Sequence, residues 1–142
     1  AAMTRAMMVT ILWRMEKEPA ALKSNFTDLT ADWYRTAVDW AAETGVVNGV
    51  GNGKFAPNAT LSLEQLITIL YRYAENKGYN VSKSASLDSF TDGSAVSAYA
   101  RPAMQWAVGM NFLSGNTLTP GAPASRAQIA QVLMLFCKAY IK

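Results

Sequence analysis

Two stretches of this 142-residue chain repeat one another. That periodicity constrains the fold more than any other feature, because a unit too short for its own core must bury its apolar face against a neighbouring copy. The first stretch starts at Phe26: FTDLTADWYRTAVDWAAETGVVNGVGNGKFAPNATLSLEQLITILYRYA. The second starts at Phe90: FTDGSAVSAYARPAMQWAVGMNFLSGNTLTPGAPASRAQIAQVLMLF. Each opens on Phe-Thr-Asp and sets an aromatic, Trp33 or Tyr99, seven residues before a tryptophan, Trp40 or Trp106. Each then passes a glycine, Gly49 or Gly115, and reaches Phe55-Ala-Pro57 or Leu118-Thr-Pro120, five residues ahead of Ser62 or Ser125. The copies differ by a two-residue insertion before Tyr99 and a three-residue deletion in the glycine turn, both where loops are expected.

The start of the chain is the back half of a third copy. MTRAMMVTILWRM aligns with LSLEQLITILYRY and ASRAQIAQVLMLF, with Arg5, Leu63 and Arg126 in register. Two and a half copies follow: residues 1–25 as a second half plus linker, 26–89 as a full copy plus linker, and 90–142 as another, together one domain. The polar connectors EKEPAALKSN and ENKGYNVSKSASLDS read as surface linkers. The opening AAMTRAMMVT reads as the middle of something, an excised fragment.

Each copy predicts two helices. Trp33, Ala37, Trp40 and Ala41 fall at i, i+4, i+7 and i+8, and Tyr99, Ala103, Trp106 and Ala107 repeat that face. Gly45 stands where the first of these helices should end, and GVGNGKF is a turn with no helical period. The second helix is announced by Ser62-Leu-Glu-Gln65 and Ser125-Arg-Ala-Gln128, capping boxes in which serine hydroxyl and glutamine amide each satisfy a backbone N–H. Thr4 keeps the cap in the first copy, with Met7 in place of the reciprocal acceptor. Met8, Ile11, Leu12 and Met15 match Leu66, Ile69, Leu70 and Tyr73, and Ile129, Val132, Leu133 and Phe136. The expected fold is all-α: tandem helix-loop-helix repeats around a central three-helix bundle with pseudo-threefold symmetry, the first helices and loops projecting as prongs.

Composition removes several function classes. Without histidine, the commonest general base and metal ligand are missing, and every Ser-His or Cys-His arrangement with them. The single Cys137, in the apolar run VLMLFCKAY, can form neither an intrachain disulfide nor a thiolate zinc cluster, and reads as a buried structural thiol. Asp28, Asp39, Glu43 and Asp92 could supply a glycosidase pair, yet none lies in a recognisable catalytic motif. The net charge of +3 is scattered, which gives nucleic acid no basic stripe. No apolar run reaches the roughly 20 residues of a membrane span. We expect no enzyme, no cofactor and no metal.

The candidate binding residues each have a structural alternative. Arg5 and Arg126 open their helices, where the macrodipole disfavours a cation. An anion held there would meet both a guanidinium fork and free backbone N–H groups; the alternative is pairing with a local carboxylate such as Asp28 or Asp92. Those two aspartates read equally as N-cap or Asx-turn residues and as ligand contacts. Trp33 suits a sugar-stacking platform, although its spacing with Trp40 favours the core, where Trp40 and Trp106 are assigned. Gly49 and Gly115 should supply positive φ in the turn, with backbone approach to a ligand as a second role. Trp13, Tyr71 and Met134, in one register, form either interhelix packing or an exposed patch.

The order Phe-x-Asp, aromatic, Trp, Gly-rich turn, Phe-x-Pro, then [ST]-R-A-x opening an apolar helix resembles the S-layer homology (SLH) domain, over nearly the whole chain. The resemblance implies three repeats around a three-helix core, and non-covalent attachment of secreted proteins to the bacterial envelope. It implies a secondary cell-wall polysaccharide as partner, often ketal-pyruvylated, held in grooves between repeats by the signature arginine with aspartate and aromatic positions nearby. Arg5 and Arg126 match that arginine, Asp28 and Asp92 the aspartate, and Trp33 the aromatic, from which Tyr99 departs. In the middle copy Leu63 replaces the arginine and Glu64 follows it, which implies a groove that is weakened, altered or purely structural. The alternative function is a degenerate SLH-like module for protein interaction or assembly. The family's missing first half-repeat leaves room for a dimer or a swapped segment.

Overall fold

The computed structural model describes residues 2–141, and every regular element among them is helical. Helix α1 spans Arg5–Met15, α2 Asp32–Thr44, α3 Leu63–Asn76, α4 Arg101–Gly109 and α5 Arg126–Tyr140, with short 3-10 turns at Gly93–Ala95 and Ala98–Ala100. The expected all-α class holds.

The helix boundaries follow from the predicted caps. Ser62 Oγ accepts the Gln65 N–H at 3.3 Å while Gln65 Oε1 accepts the Ser62 N–H at 2.9 Å. Ser125 and Gln128 make the same reciprocal pair at 3.0 and 3.4 Å. Thr4 Oγ1 accepts the Met7 N–H at 3.1 Å without a return bond. Gly45 ends α2 in the left-handed region at φ 79°, where a Cβ would be strained. Ser62→Ala should therefore cost about 1 kcal/mol, and Ser62→Gly only a few tenths, in urea unfolding at unchanged m-value.

The first helices differ between copies, for a chemical reason. In α2 the buried stripe is Tyr34, Ala37, Val38, Trp40 and Ala41. Trp33, which spacing favoured for the core, is 51% exposed, and Tyr34 takes the inward place. In the second copy the helix starts only at Arg101, with Pro102 in its first turn. Proline has no N–H to donate backwards, so Ala98–Ala100 stays a separate 3-10 turn and Tyr99 lies outside the helix, 56% exposed.

The chain forms two compact units, one of Met3–Thr60 and one that begins at Leu61 and includes Ala2. In the first unit α1 packs on α2; in the second α3 packs on α4. The second helices α1 and α3 thus each pack on the first helix of the copy that follows, half a repeat out of phase with the sequence period. The backbone makes the joint. Arg5 and Ala6 N–H donate to Ala59 and Pro57 carbonyls, both at 2.9 Å, and Leu63 and Glu64 N–H donate to Ala122 and Pro120 carbonyls, both at 3.0 Å. Antiparallel bridges Thr4–Thr60, Ser62–Pro123 and Ala2–Ser125 repeat one register: each cap residue pairs with the residue two places before another copy's cap.

The first unit's core joins Met8, Val9 and Leu12 to Tyr34, Val38 and Phe55, all at most 1% exposed. In the second, Trp106 packs edge-on against Tyr71, Phe112 and Phe136, with Tyr140 beyond. Tyr71 and Trp13 are half-buried, the latter donating to the Pro19 carbonyl, whereas Met134 of the same register is 52% exposed. Cys137 is half-buried rather than buried. The connectors are more anchored than surface linkers: Tyr79 stacks on Tyr140, Leu87 is buried, and Asp39 accepts both N–H and O–H of Ser24.

Candidate ligand-binding site

The first unit gathers Arg5, Asp28 and the glycine loop at one place. Arg5 leaves the first position of α1 and lays its guanidinium over the Phe55 ring, 4.7 Å from the centroid. Its Nε donates to the Phe55 carbonyl at 2.9 Å and its Nη2 to the Asn48 carbonyl at 2.7 Å. Two of the five guanidinium N–H donors are thereby used to fix the plane of the group. Burial lowers the Arg5 pKa, and the charge of Asp28 works in the opposite direction. The arginine pairs with carbonyl oxygens rather than forming the local ion pair considered above.

Asp28 is not an N-cap. Its Oδ1 accepts the Phe55 N–H at 2.9 Å and its Oδ2 the Ala56 N–H at 2.8 Å, so it clamps the end of the glycine loop. The cap position of α2 belongs to Ala31, with no side-chain bond. Asp92 makes the same clamp on Leu118 and Thr119, both at 2.8 Å. Burial pushes the Asp28 carboxyl up, but the backbone N–H groups it accepts and nearby Lys54 outweigh this and hold it below the usual range. The two loop N–H bonds lower Asp92 likewise.

The glycines separate. Gly115 has φ 104° and takes the expected left-handed conformation. Gly49 does not; it is needed for space, because a Cβ there would stand 2.6 Å from the Phe26 ring and 2.9 Å from the Lys54 carbonyl oxygen. That lets the loop carrying the Asn48 carbonyl lie close against Phe26 and Lys54.

The expected free N–H groups at the start of α1 are already taken, by Ala59, Pro57 and Thr4. An anion beside Arg5 would meet the guanidinium without the helix terminus. Trp33 stands on the first turn of α2, edge-on to Tyr34 at 5.0 Å, with half its surface open. Arg126 is exposed at the first position of α5.

The second unit repeats the scaffold with other chemistry. Leu63 occupies the arginine position and is 2% exposed. Glu64 is buried at 6% exposure, and its two oxygens accept the Ser97 N–H at 2.9 Å and the Ser97 hydroxyl at 2.5 Å. Burial first, then Glu64, raises the Tyr99 phenol pKa. This Glu64–Ser97 pair has no signal in the repeat alignment beyond two unmatched polar residues. The other carboxylates weighed for catalysis hold backbone: Asp39 binds Ser24, and Glu43 accepts the Leu22 N–H at 3.1 Å. No helix among the described residues is long and apolar enough to cross a membrane.

Comparison with known proteins agrees with this architecture. The family model described as "S-layer homology domain" matches residues 25–67 and 89–130. The chain is 31% identical over 137 residues to an endoglucanase of Bacillus sp. (strain KSM-635), spanning 92% of this chain and 14% of that protein. It is 31% identical over 136 residues to the surface-layer 125 kDa protein of Lysinibacillus sphaericus, spanning 91% and 11%. To the exoglucanase XynX of Acetivibrio thermocellus it is 25% identical over 130 residues, spanning 89% and 12%. The chain therefore corresponds to at most 14% of the length of these relatives. With both full copies matched and the likeness running through the leading half copy, this chain belongs to the S-layer homology domain family, a non-catalytic module that anchors proteins to the bacterial cell wall.

Proposed function

We propose that the chain anchors its parent protein by gripping an anionic, ketal-pyruvylated secondary cell-wall polysaccharide in the grooves between successive copies, taken as residues 1–25, 26–89 and 90–142. The observation that carries this reading is the Arg5 guanidinium, planar on Phe55 and fixed by two carbonyls, which leaves donors to meet a carboxylate as a charge-assisted fork. Trp33, with half its surface open, offers a face for a sugar ring. Arg126 supplies a second cation, and sites joined on one chain gain through effective concentration. The parent protein is, on this reading, secreted and held at the bacterial surface.

Isothermal titration with a ketal-pyruvylated wall-glycan fragment tests it. Arg5→Ala should weaken binding about 10- to 100-fold, the range for a hydrogen bond to a charged group. Arg5→Lys should fall between, since a point charge replaces the fork. Absent heat with the native protein, or unchanged affinity in an Arg5→Ala/Arg126→Ala protein, would overturn the proposal. The buried Leu63 and the self-satisfied Glu64 favour a second reading for the middle copy, a protein-interaction module. Retention on wall sacculi after chemical removal of the polysaccharide would support that one.

A further inference from the structure

The two grooves can be compared position by position. Asp28 and Asp92 clamp the same loop segment in each unit, and the first-turn N–H groups of α1 and α3 are engaged by the same loop carbonyls. The clamps and the helix-start joints therefore match, while the glycine turn is three residues shorter and Leu118 stands in place of Phe55; four further changes lie at the helix starts. Arg5 becomes Leu63, Ala6 becomes Glu64, Ala31 becomes Ser97 and Trp33 becomes Tyr99.

These changes depend on one another. Ala6 is fully buried, and Glu64 at its place is almost as buried. A carboxylate can be held there only with its hydrogen bonds made, and Ser97 supplies two, where Ala31 could supply only its backbone N–H. The result is a satisfied negative charge beside the position from which the cation has gone. An approaching carboxylate would meet repulsion from Glu64 and, at the first position of the helix, a buried leucine in place of the guanidinium.

We propose that the Glu64–Ser97 pair closes the second groove to anions, so that of the two grooves built on Asp28 and Asp92 only the one at Arg5 takes an acidic glycan. This rests on the anion-binding reading of Arg5 given above. Glu64 is thus a specificity-determining residue, acting by charge.

Titration of a ketal-pyruvylated amino-sugar glycoside into the full chain, in an Arg126→Ala background that confines binding to these grooves, tests the proposal. One equivalent should bind, and R5A/R126A should be silent. Adding L63R and E64A together to the silent protein should restore binding. Adding L63R alone should leave it about tenfold weaker than the pair, because Glu64 captures the new guanidinium. In the reverse direction, R5L/A6E/A31S in the R126A background should abolish binding. No heat from the native chain would remove the anion-site reading and this proposal with it. Two equivalents in the Arg126→Ala protein, or a folded R5A/R126A/L63R/E64A protein that stays silent, would overturn the closure of the second groove alone. The stoichiometry of the Arg126→Ala protein requires no change at Leu63, so it decides the matter even if the L63R variants fail to fold.

Discussion

Trp106→Ala should lower stability by about 3–5 kcal/mol, the cost of emptying a large aromatic site that the surroundings cannot refill. Trp106 is 1% exposed and sits among the rings of Tyr71, Phe112, Phe136 and Tyr140, at centroid distances of 5.3 to 6.5 Å. Those rings come from α3, the turn after α4, and α5, so the cavity would open where three segments of the second unit meet. Its indole N–H donates to the Tyr140 hydroxyl at 3.1 Å, which in turn donates to the Asn80 carbonyl at 2.7 Å. Tyr140→Phe keeps the ring and removes both bonds, and should cost about 1–2 kcal/mol. Urea unfolding followed by tryptophan fluorescence and circular dichroism measures both. A loss below about 1 kcal/mol for Trp106→Ala would mean that the ring cluster collapses into the gap.

Asp28→Ala should cost about 2–3 kcal/mol and take ligand binding with it. The substitution leaves the N–H groups of Phe55 and Ala56 without their acceptor, and an abandoned buried donor costs more than the bond contributed. The same loop carries the Asn48 and Phe55 carbonyls that orient Arg5, so the guanidinium loses its frame even though its own contacts are untouched. The clamp also titrates. Burial raises the Asp28 pKa, but its backbone bonds and Lys54 win, and the folded value lies below the unfolded one. A carboxylate of this kind contributes stability that is fully present above its unfolded pKa, about 3.9. That contribution disappears as pH falls through the lower folded value. The acid limb of the stability curve should therefore be shallower in Asp28→Asn than in the native protein. Asp92 is shifted the same way, and the double asparagine variant should flatten the limb further. An acid limb unchanged in both variants would show that other carboxylates carry it.

What the sequence made legible was local or periodic. Both capping boxes, the helix stop at Gly45 and the burial of Trp40 and Trp106 depend on spacings of a few residues or on a helical period, and these can be read from letters alone. Trp33 went outward because a helical face is about 100° wide, and Tyr34, one step around, fitted it better. The role of Asp28 was hidden for another reason. Its partners lie 27 and 28 residues away, and no local rule connects an aspartate before one helix to the end of the following loop. The free N–H groups expected beside Arg5 failed similarly, since the carbonyls that take those of Arg5 and Ala6 belong to the next copy. Pro102 was the one visible signal that the second copy's first helix would start late.

Each joint between copies contains a main-chain seam: N–H groups of one helix's first turn meet carbonyls of the next copy's loop, beside a bridge of fixed register. Peptide groups are the same whatever residue carries them, so the main-chain part of the joint is indifferent to sequence. A copy deleted, duplicated or exchanged by recombination would find the same main-chain bonds at its new seam, while the side chains meeting there, as Arg5 meets Phe55 and Glu64 meets Ser97, would still have to match. The side chains around the seam diverge in matched sets, so that one copy can keep an arginine while its neighbour takes up a leucine and a glutamate, with Ser97 of the following copy to meet the glutamate.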